Sequence, residues 1–163
     1  MEKYEEARGN ALKNLKIADH MLTVTYPLVK DPKLLISVVE NIFLSLTNSM
    51  AAILYLDNMY KVVPTFNDDF SSKYETFKKY CVDRLKIDKE YISLMQTIKG
   101  IISAHKKSKV EFAKKDRLII CNDTFDIKSI DKEKLSDYVE KTRSFVYIMD
   151  GYLKKNARLL REC

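Results

Sequence analysis

Six basic residues crowd into twelve consecutive positions of this chain. Lys106, Lys107, Lys109, Lys114, Lys115 and Arg117 all fall within the segment KKSKVEFAKKDR. Such a run attracts phosphate or carboxylate groups, with an affinity that falls steeply as salt rises. A second group, Lys154, Lys155, Arg158 and Arg161, lies close to the C-terminus. Residues 1–104 carry 14 basic and 13 acidic groups, whereas residues 105–163 carry 15 and 10, so the second half holds +5 of the net +6. This asymmetry points to a surface for nucleic acid or an acidic protein. The plainer alternative is a solvated face together with ordinary charges near helix C-termini.

A polar constellation of another kind lies in the first half. Ser37, Asn41, Ser45 and Asn48 recur at helical spacing on one narrow face of an apolar helix, and Glu40 adjoins them. Asn14 offers a partner from the preceding helix. The plainer reading is a buried amide network that fixes helix register. The sharper one is a ligand pocket between helices, anchored by Glu40. His105 falls on the core-facing line of a later helix, at its C-terminal end. It is either a plain helix-end histidine or a base or anion contact beside the lysines that follow. Glu40, Asn41, Asn48 and His105 therefore form the candidate pocket, and an enzyme is the alternative that such a pocket would support. His20 reads as a surface residue.

Common catalytic signatures are missing. Gly9, Gly100 and Gly151 stand alone, so there is no glycine-rich phosphate loop, and GxSxG, HExxH and CxxC are absent. Neither histidine has metal-ligand spacing to a cysteine, and His105 has no acid at i+3 or i+4. The expectation is no metal, no cofactor and no catalytic residue. Cys81, Cys121 and Cys163 are odd in number and widely spaced, which suits neither a disulfide framework nor a zinc site. A reducing, cytoplasmic setting follows.

The elements that position these residues are mostly helical. The stretch from Pro32 to Val62 is almost entirely apolar, with uncharged polar residues at helical spacing, and predicts a long buried central helix. Glu40 and Asp57 within it argue against a membrane span. A first helix is expected from about Glu2 to Tyr26, ended by Pro27. A third begins near Asn67-Asp68-Asp69, a fourth after Asp88 and a fifth after Asp131, each with an aspartate to cap it. Leu118–Cys121 and Phe125–Ile130 flank Asn122-Asp123-Thr124 and predict a β-hairpin. The fold class is all-α: one domain over 1–163, an antiparallel bundle of about five helices, with a hairpin insertion at about 117–130 before the last helix. The wide apolar arc of the central helix and the open hairpin edge suggest self-association, with a dimer the simplest form.

A bundle with a long buried second helix resembles the HEPN-like superfamily, small bundles often paired with nucleotidyltransferases or acting as RNases. ADHMLTVTYPLVKDPKLL (18–35) and HKKSKVEFAKKD (105–116) are also similar to a family of uncharacterised archaeal helical proteins. The HEPN nuclease signature is an arginine followed by a histidine after four to six residues. None of Arg8, Arg84, Arg117, Arg143, Arg158 and Arg161 has one. The resemblance implies a catalytically silent member. The expected function is a non-enzymatic binding or accessory protein with a basic surface; a purely structural oligomer is a third reading.

Overall fold

The structure, a computed structural model, describes residues 2–108, 110–114, 116–121 and 127–161, with backbone alone at 110, 112 and 158–161. Lys109, Lys115, the expected turn Asn122-Asp123-Thr124 and Cys163 lie outside the described residues. The chain is mostly helical, with five helices and one small antiparallel sheet. Helix α1 comprises Lys3–His20, a π-helical turn Met21–Thr25 and a last α-turn Tyr26–Val29. Helix α2 is Leu34–Met59. Helix α3 is Phe70–Phe77, continued by a π-helical turn Lys78–Val82, and α4 is Lys89–Lys107. Strands β1 (Val110–Lys114), β2 (Arg117–Cys121) and β3 (Ile127–Asp131) follow, and α5 is Lys132–Arg161.

Helix α2 sits at the centre and packs against all four other helices. Leu35, Val38, Val39, Ile42, Leu46, Met50, Ile53, Leu54 and Leu56 are buried, an arc too wide for a single seam. Small residues let α1 come close. Ala7, Ala11 and Ala18 are buried, and the Ser45 hydroxyl donates to the Ala11 carbonyl at 2.8 Å. Helix α2 is long and apolar enough to cross a membrane by length and composition, and 56% of its most apolar window is buried inside the fold.

The caps follow the sequence. The carboxylates of Asp69, Asp88 and Asp131 accept the backbone N–H groups of Ser72, Glu90 and Lys134 at 2.8, 2.9 and 2.8 Å. Helix α1 departs from expectation at Pro27, which does not end it. The π-helical turn just before the proline widens the backbone where a hydrogen bond would be lost. The helix stops three residues later, where Lys30 takes a left-handed φ of 55° and its N–H bonds the Tyr26 carbonyl at 2.7 Å.

The β region also differs. It is a three-stranded antiparallel sheet of order β1-β2-β3, whereas the sequence suggested two strands. Lys114 pairs with Arg117 and Val110 with Cys121 across β1–β2, and Leu118 pairs with Ile130 across β2–β3. Leu118, Ile120 and Ile130 are buried and turn one face of the sheet into the core, with β2 against α4 and β3 against α5.

Candidate functional site

The basic run extends along β1, from the end of α4 to the β1–β2 turn. Lys106 and Lys107 are exposed in the last turn of α4. Lys114 and Arg117 are exposed at the β1–β2 turn, one on each strand. Arg117 leans toward Asp131, its cross-strand neighbour on β3, at 3.7 Å. Lys106, Lys107 and Lys114 have no ion-pair partner among the described residues. Cations therefore stand at the end of α4, beside the start of β1, and at the far end of β1, where Arg117 faces Asp131. Lys109 and Lys115, from the same run, lie outside the described residues.

Among the described residues, no hydrogen bond or ion pair assembles the expected inter-helix pocket. Glu40 is exposed. The amides of Asn41, Asn48 and Asn14 each donate at 2.8 Å to a carbonyl one turn back on their own helix, those of Ser37, Leu44 and Asn10. An amide in a helix can always reach that acceptor, and here the local bond replaces the inter-helix network. His105 is half-buried, and its Nδ1 meets a Glu111 carboxylate oxygen on β1 at 2.5 Å. That contact ties the end of α4 to the first strand. Among the described residues, no hydrogen bond or ion pair joins Glu40, Asn41 or Asn48 to His105.

A different polar cluster lies between helices, and the sequence reading passed over it. Asp57, near the end of α2, is 3% exposed. Arg84, just past α3, forms an ion pair with its Oδ2. Tyr152 of α5 donates to its Oδ1 at 2.6 Å. The Arg84 Nη1 also reaches the Tyr152 hydroxyl at 3.3 Å, and its Nε donates to the Tyr80 carbonyl at 3.1 Å. The Cys81 thiol lies 3.8 Å from Asp57. One carboxylate thus ties together α2, the end of α3 and α5. The signal was an acid inside the longest apolar stretch, since a buried charge requires a partner.

This electrostatic setting suppresses proton exchange. Burial, followed by the neighbouring Asp57 charge, pushes the Cys81 thiol up to about 12. Burial also raises Tyr152 to about 12; the Arg84 bond opposes this and the Asp57 bond adds to it. For Arg84, burial works against the charge, but its bonds to Tyr152 and Asp57 outweigh it, so the guanidinium holds its proton more tightly than usual. A cleft of about 250 Å³ opens beside the cluster, with Leu56, Tyr60, Val62 and Asn156 on its walls.

A second cleft, of about 340 Å³, lies on the other side of the α2 terminus. Its Tyr55 stacks on Phe66 and donates to Asp68 at 2.7 Å, and Lys73 approaches the same carboxylate at 2.8 Å. Hydrogen bonds from Lys73 and then Tyr55 hold the Asp68 carboxyl below its usual range. None of the candidate pocket residues lines either cleft. Among the described residues, no group of three or more His, Cys, Asp or Glu is placed to hold a metal ion.

No family model, curated protein or solved structure matches the chain.

Proposed function

We propose that this is a non-enzymatic binding or accessory protein whose basic surface, along β1 from the end of α4 to the β1–β2 turn, contacts nucleic acid or an acidic partner. The observation that carries this reading is the exposure of Lys106, Lys107 and Lys114 without a carboxylate partner among the described residues. Free, solvated ammonium groups on a rigid sheet and helix end can exchange counterions for phosphates. The buried cluster supports the non-enzymatic side of the reading. Its acid is held by Arg84, and its thiol and phenol release protons only near pH 12, far from a useful general base or nucleophile.

In this reading the five helices form an antiparallel bundle in a cytoplasmic setting. Ion pairs join Arg8 to Asp150 and Asp19 to Arg143, so α1 and α5 run in opposite senses. The likeness to HEPN-like bundles, without the Arg–His signature, fits a member that binds without cutting. Strands β1 and β3 each have an edge unpaired within the sheet, which supports self-association.

Titration with single-stranded RNA at low salt tests the proposal. The wild type should bind with little sequence preference and a steep loss of affinity with salt. Replacing Lys106, Lys107, Lys109, Lys114 and Lys115 together by Gln should abolish most of that binding. Equal binding by the two proteins, or none by either, would reduce the basic run to a solvated surface.

A further inference from the structure

The end of the molecule where α1 finishes carries aliphatic side chains that the fold leaves in water. Leu28 is 81% exposed and Val29 is 60% exposed, and Val24, one turn before Leu28, is 45% exposed. A scattered exposed apolar residue is ordinary, but three on one helix tip form a patch. Beyond the patch the chain turns at once through the left-handed Lys30. Lysines stand at the borders of the patch. Lys30 and Lys33 are exposed in the connection to α2. The Tyr26 hydroxyl donates to the Asp116 carbonyl at 3.3 Å and so brings the β1–β2 turn, with Lys114, to the same end. Acids share this end: Asp31 accepts the Lys33 N–H, Asp116 is exposed in the β1–β2 turn, and Asp131 caps α5 and faces Arg117.

We propose that this tip docks the protein on an anionic lipid surface. Leu28 and Val29 enter the boundary between headgroups and acyl chains, while Lys30, Lys33 and Lys114 meet acidic headgroups. Aliphatic side chains framed by lysines are what such a boundary takes up, because the stems bury and the ammonium groups stay in the headgroup layer. Other occupants fit less well. Nucleic acid gives aliphatic tips nothing to stack on. A second copy related by a two-fold axis would bring Lys30 and Lys33 against their own equivalents, like charge to like charge. An acidic peptide helix needs a groove, and neither cleft described above is lined by Leu28 or Val29. The contact is peripheral and involves no membrane-spanning helix.

Co-sedimentation with vesicles tests it. The full-length protein should bind vesicles of equal parts phosphatidylglycerol and phosphatidylcholine at low salt, and not pure phosphatidylcholine. The double variant Leu28→Ser/Val29→Ser changes only exposed side chains, so its thermal midpoint should match the wild type. Its partitioning should fall by about tenfold or more. Lys30→Gln/Lys33→Gln should reduce binding by a similar factor, and salt should mimic that loss. Failure of the wild type to bind anionic vesicles would overturn the proposal. So would undiminished binding by the Leu28/Val29 variant. A wild-type dimer that this variant splits into monomers would assign the tip to a second copy instead. The RNA titration separates this proposal from the function proposed above: the Leu28/Val29 variant should bind RNA as the wild type does, whatever the vesicles show.

Discussion

Two charged regions of this molecule obey opposite rules. At Asp57 a carboxylate of α2 is buried, and Arg84, Tyr152 and Cys81 are directed at it. Between the end of α4 and the β1–β2 turn, Lys106, Lys107 and Lys114 face solvent, and Arg117 faces an acid across the sheet. Burial turns the first set into a structural clamp, because an unpaired ion there would carry a desolvation cost of several kcal/mol. Exposure leaves the second set almost without structural value, since surface charges contribute about 0–1 kcal/mol. Charges the fold does not need are the ones available to a partner.

The sharpest way to break this contrast is to remove the clamp's cation. Arg84→Met leaves Asp57 buried beside Tyr152 alone. Chemical denaturation should show a loss of about 2–4 kcal/mol, below the range for a fully enclosed pair because the guanidinium opens to solvent on one side. The double variant Asp57→Asn/Arg84→Met should recover part of that loss, since it removes the orphaned charge. A single variant as stable as the wild type would show that the pair is no clamp.

Much of the scaffold was legible from sequence, and this cluster was not. The apolar run around Leu46 announced a central helix, and Asp69, Asp88 and Asp131 announced three helix starts, because both signals are local in the chain. Asp57 meets Arg84 across 27 residues and Tyr152 across 95, and no local pattern records such a meeting. Strand β1 was hidden for a different reason. Its Val-Glu-Phe-Ala-Lys breaks the period of two at Ala113 and sits inside a lysine-rich run that reads as loop. The asparagines misled because an amide on a helix face looks the same in sequence whether it bonds a neighbouring helix or its own carbonyl. At the candidate basic surface, composition located the lysines, but only the sheet register shows Lys114 beside Arg117 and Asp131 opposite.

A smaller effect separates the clamp's phenol from its ion pair. Tyr152→Phe removes one donor to a charged acceptor and should cost about 1–2 kcal/mol in denaturant unfolding, less than the loss of Arg84. A cost above that of Arg84→Met would place the weight of the clamp on the hydroxyl.

The same groups give the clamp a pH signature. In the folded state the Cys81 thiol and the Tyr152 phenol are both raised to about 12, from ordinary values of 9.0 and 10.0. Between those limits the unfolded chain releases protons that the folded chain retains, so unfolding gains as pH rises. The contribution is whole below about pH 9 and is lost progressively toward pH 12. The thermal midpoint should therefore fall over that window. The slope should be shallower in Tyr152→Phe and shallower again when Cys81→Ala is added. A midpoint that climbs with pH there would contradict the direction of both shifts.

The smallest expected effect is on the other side of the comparison. Replacing Lys106, Lys107 and Lys114 by Gln removes three positive charges and no buried contact. Lys106 and Lys107 lie in the last turn of α4, where cations oppose the helix dipole, so a loss of a few tenths of a kcal/mol is expected from them. Lys114 lies near Arg117, its cross-strand partner, and losing that like-charge neighbour should return a similar amount. The net change in stability should stay within about 0.5 kcal/mol, measured by urea unfolding at two ionic strengths. Near-neutral stability combined with a large loss of polyanion affinity would mark these lysines as free for function. A loss above about 1 kcal/mol would mean that they hold the sheet against α4, and the contrast between the two regions would fail.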